Sequence, residues 1–339
     1  MNVHAGIEGA EAHLLALING YRLTQAIYVV TVLGVPDLLA AGPRQSAELA
    51  SATGADPDAL HRVLRALAAF GILRQEAEGF ALASLGACLR TDAPRSLKPW
   101  VEFIARPAVW NAWGGMLHTV RTGETAFHHL HGQDIWTYRA GDPEESRIFD
   151  AAMSRGSARL AEGLLAAYDF APFRRIVDVG GGDGTLLSAI LAHHHGLRGT
   201  LLDLPHVVAG GQCSSRAHDV ADRFEVCAGS FFESVPAGAD AYILKHVIHD
   251  WQDVDALTIL RNCRAAMGPR ARLILIERIV AYGPGERDVA LADLNMLVNA
   301  GGRERSEDEF RGLLAARGLA FVRSIPLPAC HFVIEAQPA

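Results

Sequence analysis

The chain is poor in cysteine, and its cysteines show no paired spacing. A disulfide framework or a zinc site would need cysteines at short, repeated intervals, so neither is indicated. We therefore expect reduced, mostly buried thiols and a cytoplasmic location. The five cysteines of the 339-residue chain are Cys88, Cys213, Cys227, Cys263 and Cys330.

The chain also lacks an excess of positive charge and a long uninterrupted apolar run. Its 31 Lys and Arg against 38 Asp and Glu leave a net charge of −7, which argues against nucleic acid or an anionic membrane as the main partner. Residues 14–39 are apolar but broken by Asn19, Arg22 and Pro36, so they predict helices that bury one face instead of a membrane span. The first fifteen residues lack a basic segment followed by an apolar core, so no signal peptide is expected.

Residues 1–100 have the pattern of a winged helix. Asp56 and Pro57 supply a helix N-cap and a first helical residue, Gly71 ends that helix, and Gly79 lies in a predicted hairpin turn. Winged helices often bind DNA, but this one offers few cations and its helix begins among aspartates, which disfavours phosphate contacts. We expect the domain to pack against a second copy of the chain. A ligand-sensing regulator that uses the winged helix is a remote alternative.

Residues 101–170 are predicted to be helical and to carry several large rings. Such rings either fill a core or wall an apolar pocket for a flat substrate, and the sequence leaves both interpretations open. The rings of this region are Phe103, Trp110, Trp113, Phe127, Trp136 and Phe149.

An apolar strand at 174–179 leads directly into a glycine-rich turn. A dinucleotide site needs a further glycine at position 185, where this chain has Thr185. Asp183 within the turn would repel a diphosphate, whereas Asp178 and Asp183 together favour a cationic or neutral ligand. S-adenosylmethionine, with its sulfonium and ammonium groups, fits that requirement. The glycines of the turn are Gly180, Gly181, Gly182 and Gly184.

From residue 171 onward strands and helices alternate, which predicts an α/β fold with a parallel, Rossmann-like sheet. Ser306 and Glu309 form a capping box that opens a helix, and two strand-like runs at 320–326 and 331–335 predict a closing antiparallel hairpin. The other strands are predicted at 174–179, 199–204, 224–228, 239–246 and 271–280. The sequence thus predicts three segments, at 1–100, 101–170 and 171–339.

Ligands of parallel sheets bind at the carboxyl ends of the strands. Asp203 ends the second strand, where its carboxylate can accept two hydrogen bonds from a ribose diol, and Phe231 after the third strand can stack on a purine. His249 follows the fourth strand and can take a proton from a phenol, because histidine titrates near neutrality. Glu277 and Glu304 are candidates to fix its tautomer.

The histidine clusters elsewhere are not expected to bind a metal. The run at 193–195 would point in three directions on a helix. His128, His129 and His131 would bind an ion only with distant partners.

Several motifs together resemble the caffeate-type small-molecule O-methyltransferases of plants and bacteria, over nearly the whole chain. The combination is specific, although the glycine turn alone is not. The matching segments are Val-Asp-Val-Gly-Gly-Gly-Asp-Gly (177–184), Asp-Leu-Pro-His-Val (203–207), Gly-Ser-Phe-Phe (229–232), Leu-Lys-His-Val-Ile-His-Asp-Trp (244–251), Ile-Glu (276–277) and Gly-Gly-Arg-Glu-Arg (301–305).

The resemblance implies a homodimer built through the N-terminal domain, S-adenosylmethionine as the cofactor, and no metal. It implies His249 as the general base, with Glu277, Glu304 and Asp250 around it. The implied cofactor contacts are Ser157, Gly180, Gly182, Asp203, Leu204, Ser230, Phe231 and Lys245. The implied substrate-facing residues are Met153, Met296 and Asn299.

Ser230 departs from the family pattern. The family usually has an aspartate at this position, where it accepts a hydrogen bond from the adenine region. A neutral hydroxyl gives a weaker bond than a carboxylate, so the departure affects the expected affinity for the cofactor and not its identity.

The sequence therefore predicts a cytoplasmic, dimeric O-methyltransferase that acts on a hydroxyl of an aromatic or polycyclic small molecule in natural-product tailoring. Two other activities stay open on the same fold. A neutral heteroaromatic nitrogen could accept the methyl group without a base, and some relatives of this architecture catalyse pericyclic or hydroxylation steps.

Overall fold

The computed structural model describes residues 3–209, 218–280 and 286–339, which form two compact units, Met1–Trp110 and Asn111–Ala339. The predicted division into three segments stays a prediction. Cys213 lies outside the described residues, as do Met1 and Asn2 at the start of the segment where no signal peptide is expected. The four described cysteines are free thiols, but only Cys263 is buried, so the expectation of mostly buried thiols was wrong for Cys88, Cys227 and Cys330. Within the described ranges, no helix combines the length and apolar character that a membrane crossing requires.

The N-terminal unit has the element order of a winged helix, as predicted. Asp56 caps the fourth helix by accepting a hydrogen bond from the backbone of Ala59 at 2.8 Å, with Pro57 at the first helical position. The apolar stripe of that helix, including Leu60 and Leu64, is buried in the core of the unit. The elements are α1 (Val3–Val32), α2 (Val35–Leu38), α3 (Ser46–Thr53), α4 (Pro57–Ala69), β1 (Leu73–Glu76), β2 (Gly79–Leu82), α5 (Ser84–Ala87) and α6 (Lys98–Ile104).

Helix α1 exposes large apolar side chains within this unit. Leu14, Leu17, Ile18 and Tyr21 are each more than half exposed. A contiguous apolar surface of this kind is typical of a protein–protein interface, in agreement with the expected packing against a second copy.

Short helices and one long helix follow, and side chains cap several of them. Thr125, Asp134 and Asp142 accept hydrogen bonds from backbone N–H groups of the first helical turns that they precede, and these caps satisfy donors that the helix itself leaves unpaired. The helices are α7 (Pro107–Gly114), α8 (Met116–Thr122), α9 (Ala126–His131), α10 (Ile135–Gly141) and α11 (Pro143–Ala167).

The C-terminal unit contains a seven-stranded sheet in the order β5-β4-β3-β6-β7-β9-β8. Strands β3 to β7 are parallel, and β8 and β9 form the predicted antiparallel hairpin that closes one edge. The strands are β3 (Arg175–Val179), β4 (Arg198–Asp203), β5 (Phe224–Ala228), β6 (Ala241–Lys245), β7 (Arg272–Arg278), β8 (Leu319–Pro326) and β9 (His331–Pro338). The helices around them are α12 (Thr185–His193), α13 (Pro205–Val208), α14 (Asp253–Ala266), α15 (Glu286–Asn295) and α16 (Glu307–Ala315).

Both faces of this sheet are covered, because alternate strand residues point to opposite sides. On one face Tyr242 and Leu244 belong to an apolar cluster shared with α14 and α16. On the other face Ala241 and Ile243 belong to a cluster shared with α11 and α12. The polar ends of β3, β4, β6 and β7 therefore meet at one edge of a rigid, buried sheet.

Candidate active site

The glycine turn after β3 depends on a backbone that few other residues adopt. Gly180, Gly182 and Gly184 have φ angles of 70°, 63° and 76°, in the left-handed region that favours glycine. A Cβ on Gly180 would lie 3.0 Å from a methyl group of Val247 and 3.3 Å from the ring of Phe231. Position 180 therefore requires glycine both for its backbone conformation and for the close approach of Val247 and Phe231.

Asp203 is hydrogen-bonded to this glycine turn. One oxygen of its carboxylate accepts a hydrogen bond from the Gly182 N–H at 2.7 Å, and the other accepts from the Leu204 N–H at 2.7 Å. A carboxylate has about four acceptor positions, so two remain for the ribose diol that the sequence analysis predicts there. We call residues 180–184 together with Asp203 the donor wall.

Further carboxylates surround the donor wall. Asp178 is buried, and within the described residues neither of its oxygens has a hydrogen-bond partner. Burial raises the pKa of Asp178 to about 7, although the positive charge of Lys245 opposes the shift. Burial also raises the pKa of Asp150, on α11, to about 6, with the charges of Asp203 and Asp183 adding to the effect. A ligand that carries positive charge would relieve this crowding of acids.

Asp183 has a structural task that the sequence analysis did not foresee. Its carboxylate accepts hydrogen bonds from the N–H and the hydroxyl of Thr185, at 3.1 and 2.6 Å. The Thr185 hydroxyl in turn lies 2.8 Å from that of Ser154 on α11. Ser157, one turn further along α11, is buried, and its hydroxyl donates to the Met153 carbonyl at 2.9 Å. The contact between Ser154 and Thr185 ties α11 to the start of α12 beside the glycine turn.

His249 lies in a one-turn 3-10 helix, Ile248–Asp250, directly after β6. Its Nδ1 is 2.9 Å from a Glu277 carboxylate oxygen and 3.5 Å from one of Glu304. Its Nε2 is 3.5 Å from an Asp250 oxygen. The contact with Glu277 is at ion-pair distance but lacks the alignment of a good hydrogen bond. The structure therefore brings together the four residues that the sequence analysis named around the base, which are His249, Asp250, Glu277 and Glu304. We call residues 246–250 together with Glu277 and Glu304 the base wall.

Glu277 contacts both the His249 ring and the backbone of the turn that carries it. One oxygen faces His249, while the other accepts hydrogen bonds from the N–H groups of Val247 and Ile248, at 3.1 and 2.8 Å. Its side chain has no exposed surface. A single buried carboxylate thus fixes the turn and faces the Nδ1 side of the imidazole, which leaves Nε2 as the nitrogen that does not face the two glutamates.

These charges set the proton affinity of the ring. Burial alone would lower the pKa of His249, but the charges of Glu277 and Asp250 outweigh it and hold the pKa well above 6.5. Burial raises the pKa of Glu304, but the interactions with His249 and Arg278 lower it by more. The pKa therefore lies below that of an ordinary glutamate. Arg278 is 3.3 Å from Glu304, so the cluster contains cations as well as acids.

The segment that follows the π-helical turn at Met296–Ala300 braces the base wall. A Cβ on Gly302 would lie 2.0 Å from the His249 carbonyl oxygen, so a larger residue has no room there. Arg303 N–H donates to that carbonyl at 2.8 Å. Arg305 is almost fully buried and donates to the carbonyls of Ile248 and Trp251, at 2.9 and 2.8 Å. The loop that carries His249 is therefore held from two sides.

The π-helical turn also carries the residues expected to face the substrate. The Nδ2 of buried Asn299 donates to Asn295 at 3.0 Å, and its Oδ1 is buried without a hydrogen-bond partner in the described part of the chain. Such an acceptor is suited to a donor supplied by a ligand. Met296 lies in the same turn, and π-helical turns are frequent at functional sites.

Some large rings of the helical segment lie in the core, and others line an apolar wall, which are the two interpretations that the sequence left open. Phe127 is a core residue with 1 % of its surface exposed. Trp136 instead stacks on Trp251, with ring centroids 5.7 Å apart, and meets Phe149 edge to face. Because Trp251 follows His249 by two residues, these rings form an aromatic wall close to the base.

Ser230 is occupied locally, and its hydroxyl accepts a hydrogen bond from the Phe232 N–H at 3.2 Å. Phe231 lies between the glycine turn and Trp251, 6.1 Å from the latter between ring centroids. Lys245 ends β6, where burial lowers its pKa and Asp178 opposes that shift. All the cofactor-contact residues named from the sequence thus lie on α11 or at the ends of β3, β4, β5 and β6.

Sequence reasoning missed three contributors to the site. Asp150, Gly302 and Arg305 were not singled out, although the last two lie in a matched motif. The one available signal was the pair of glycines before Arg303, which indicates a close backbone approach. The burial of Arg305 could not be read from its sequence neighbours.

Comparison with known proteins agrees with this geometry. The family model of the O-methyltransferase domain matches residues 113–320, and that of the O-methyltransferase dimerisation domain matches residues 15–92. The chain is 40% identical to phenazine O-methyltransferase PhzM of Lysobacter antibioticus over 99% of each chain. It is 40% identical to the mitomycin biosynthesis 6-O-methyltransferase of Streptomyces lavendulae, over 94% of this chain and 92% of that one.

Among solved structures, an O-methyltransferase from neocarzinostatin biosynthesis, NcsB1, superposes with a TM-score of 0.83 at 36% identity, covering 94% of this chain and 96% of the other. That structure is a complex with S-adenosylmethionine and 2-hydroxy-5-methyl naphthoic acid. The predicted fold, enzyme class, cofactor and homodimer are thereby confirmed at the level of the family. The chain belongs to the O-methyltransferase family that combines this catalytic domain with an N-terminal dimerisation domain.

Proposed function

We propose that this S-adenosylmethionine-dependent enzyme methylates a hydroxyl of an aromatic or polycyclic small molecule in natural-product biosynthesis, with His249 as the general base. The observation that carries the proposal is the buried His249 whose Nδ1 faces Glu277 while its turn borders the glycine-rich strand end. Two relatives are named for work on a phenazine and on mitomycin, and NcsB1 holds a hydroxynaphthoic acid. These names support a flat acceptor for this chain as well.

The donor wall suits the cofactor by its chemistry. Bound S-adenosylmethionine supplies an electrophilic methyl group on a positively charged sulfur. The acids Asp178, Asp183 and Asp203, with Asp150 from α11, give the surroundings a negative potential that attracts such a cation. Gly180 and Gly182 place no side chain in the turn, and the ring of Phe231 can stack on the base of a nucleoside. Ser157, Leu204, Ser230 and Lys245 complete the proposed contacts.

The base wall handles the proton. Nε2 of His249 would take the proton of the substrate hydroxyl, whose oxygen would accept the methyl group of the cofactor, with S-adenosylhomocysteine as the leaving group. Glu277 and Glu304 stabilise the imidazolium that results, and Asp250 lies next to the Nε2 side. General base catalysis of this kind contributes roughly 10²–10⁴-fold to the rate. Alignment of oxygen and methyl carbon, and exclusion of water, supply the larger share.

The acceptor is proposed to lie between the aromatic wall and the π-helical turn. Trp136, Phe149 and Trp251 offer flat apolar surface, and the unpaired Oδ1 of Asn299 offers one directional contact. Met153 and Met296 complete the set and can adapt to different ring systems.

Hydroxyl methylation is favoured over methylation of a ring nitrogen by one observation. A neutral nitrogen nucleophile needs no base, yet this site keeps a buried histidine with three carboxylates around it. The same buried cluster also favours methyl transfer over a pericyclic or hydroxylation reaction on this fold.

We also propose a cytoplasmic location, supported by the free state of the four described cysteines.

Incubation with S-adenosylmethionine and a library of phenols, catechols, hydroxyquinones and heteroaromatic amines tests this proposal. Mass spectrometry should show products heavier by one methyl group and an equivalent amount of S-adenosylhomocysteine, confined to hydroxyl-bearing acceptors. Methylation of the amines alone would instead identify a nitrogen methyltransferase. A lack of any methylated product across these classes would count against the proposal.

A further inference from the structure

A second cluster of ionisable side chains lies at the junction of α8 and α9, on the C-terminal unit. His118 on α8 places Nε2 2.7 Å from a Glu124 carboxylate oxygen. His129 on α9 places Nδ1 4.0 Å from the same oxygen. His128 places Nδ1 2.8 Å from the other oxygen. The sequence analysis did not expect His128 and His129 to bind a metal, because only distant partners could complete a site; the fold instead places Glu124, four residues before His128, and His118 of α8 beside them.

The backbone around Glu124 positions these side chains. Helix α8 ends at Gly123, which is left-handed with a φ of 79°. Thr125 caps α9 by accepting a hydrogen bond from the His128 N–H at 3.1 Å, and the Glu124 N–H donates to Thr122 at 3.1 Å. Glu124 is thus held in a short connection between two capped helix ends, with a histidine from each helix beside it.

We propose that His118, Glu124 and His129 bind a divalent transition-metal ion of the Zn²⁺ type. One ligand atom from each residue lies within 4.8 Å of the other two. Two imidazoles and one carboxylate form a donor set that suits zinc and its neighbours. Ligand atoms on one tetrahedral ion lie about 3.4 Å apart, given metal–ligand distances near 2.1 Å, so the three side chains must rotate to close the site.

The two histidine rings already approach each other. Their centroids are 3.7 Å apart and their planes differ by 14°. An imidazole nitrogen coordinates an ion along its lone pair, in the plane of the ring, so the two rings must turn out of this parallel stack before their nitrogens share one ion. His129 and Glu124 are partly exposed, so both the ion and the required rotations are accessible. His128 or water would fill the fourth position.

The expected consequence is a tie between α8 and α9. Helix α9 packs against the π-helical turn Met296–Ala300, and a Cβ on Gly301 would lie 3.1 Å from the Thr125 side chain. The ion would therefore stabilise the packing of α9 against that turn. It would take no part in the methyl transfer itself.

Isothermal titration of the tag-free, full-length protein with ZnCl2 tests the site. We expect one equivalent to bind, and Glu124→Gln and His129→Ala each to weaken binding roughly tenfold or more. His195→Gln, at an exposed histidine of the run 193–195, is the matched control and should bind as the wild type does. Zinc should also raise the melting temperature of the wild type and of His195→Gln, but not of Glu124→Gln.

His249→Ala locates the ion, because His249, Glu277 and Glu304 also bring ligand atoms within 4.8 Å of one another. Binding that survives His249→Ala but not Glu124→Gln supports the proposed site. Binding lost with His249→Ala and kept in Glu124→Gln would place the ion at the base wall and overturn the proposal. Absence of binding by the folded wild type would overturn it as well.

Discussion

The donor wall and the base wall border each other at one edge of the sheet, yet they are built by different means. The donor wall relies on backbone: left-handed glycines and amide hydrogen bonds to Asp203. The base wall relies on buried charge: His249 among carboxylates, with Arg278 and Arg305 to balance and brace them. The difference teaches that loss of a hydrogen-bond acceptor in the donor wall should weaken cofactor binding, whereas loss of a charged group, or of its packing, in the base wall should affect proton transfer and stability.

His249→Ala should have the largest effect and should affect one wall only. Removal of the base is expected to lower kcat by about 10²–10⁴-fold. The dissociation constant of S-adenosylmethionine should stay within about twofold of the wild type, because the carboxylates that the ring faces, Asp250, Glu277 and Glu304, belong to the base wall. Steady-state kinetics together with calorimetric titration of the cofactor measure both quantities. An unchanged kcat would remove His249 from the mechanism.

Gly302→Ala should destabilise the protein through the base wall. Its new Cβ would lie 2.0 Å from the His249 carbonyl oxygen, and overpacking of this kind costs about 1–3 kcal/mol in free energy of unfolding. Gly312→Ala is the matched control: it is exposed in α16 with no atom within 4 Å of the new Cβ, so it should stabilise by about 0.5–1 kcal/mol. Denaturant unfolding compares the two, and equal effects would contradict the brace.

Asp203→Asn should have a smaller effect, confined to the donor wall. An amide oxygen can keep one of the two hydrogen bonds to backbone N–H groups, but the amide nitrogen cannot accept the other. We expect the dissociation constant of S-adenosylmethionine to rise about tenfold, which corresponds to about 1.4 kcal/mol, with kcat at saturating cofactor nearly unchanged. A loss of kcat without a loss of affinity would show that the two walls are not separable.

The sequence alone was enough for the framework of both walls. The parallel strands β3 to β7 were predicted to within about two residues because buried parallel strands form continuous apolar runs. The last antiparallel strand, predicted at 331–335, extends three residues further, to Pro338. Asp203, His249 and Glu277 follow such runs, so the rule that ligands bind at strand ends brought them to one edge.

The bracing of the site was not predictable in the same way. An arginine such as Arg305 usually lies on a surface, and here its burial depends on backbone carbonyls that are more than fifty residues away in the chain. Asp150 was missed for a related reason: its environment is set by acids on other elements. Contacts of this kind arise from tertiary structure, for which the local sequence carries no periodic signal.

The most direct test of the account is the pH profile of kcat/KM for the wild type and for Glu277→Gln. The base must be neutral to accept a proton, and its pKa is held well above 6.5, so wild-type kcat/KM should be low in acid and rise through a pKa above 6.5. Glu277→Gln removes a charge that raises this pKa, so the rise should move to lower pH. The plateau should also fall: the backbone amides of Val247 and Ile248 direct the new amide oxygen toward themselves, so its nitrogen faces Nδ1 and favours a proton on Nε2. A rise at the same pH in both proteins would contradict the claim that buried carboxylates control the base.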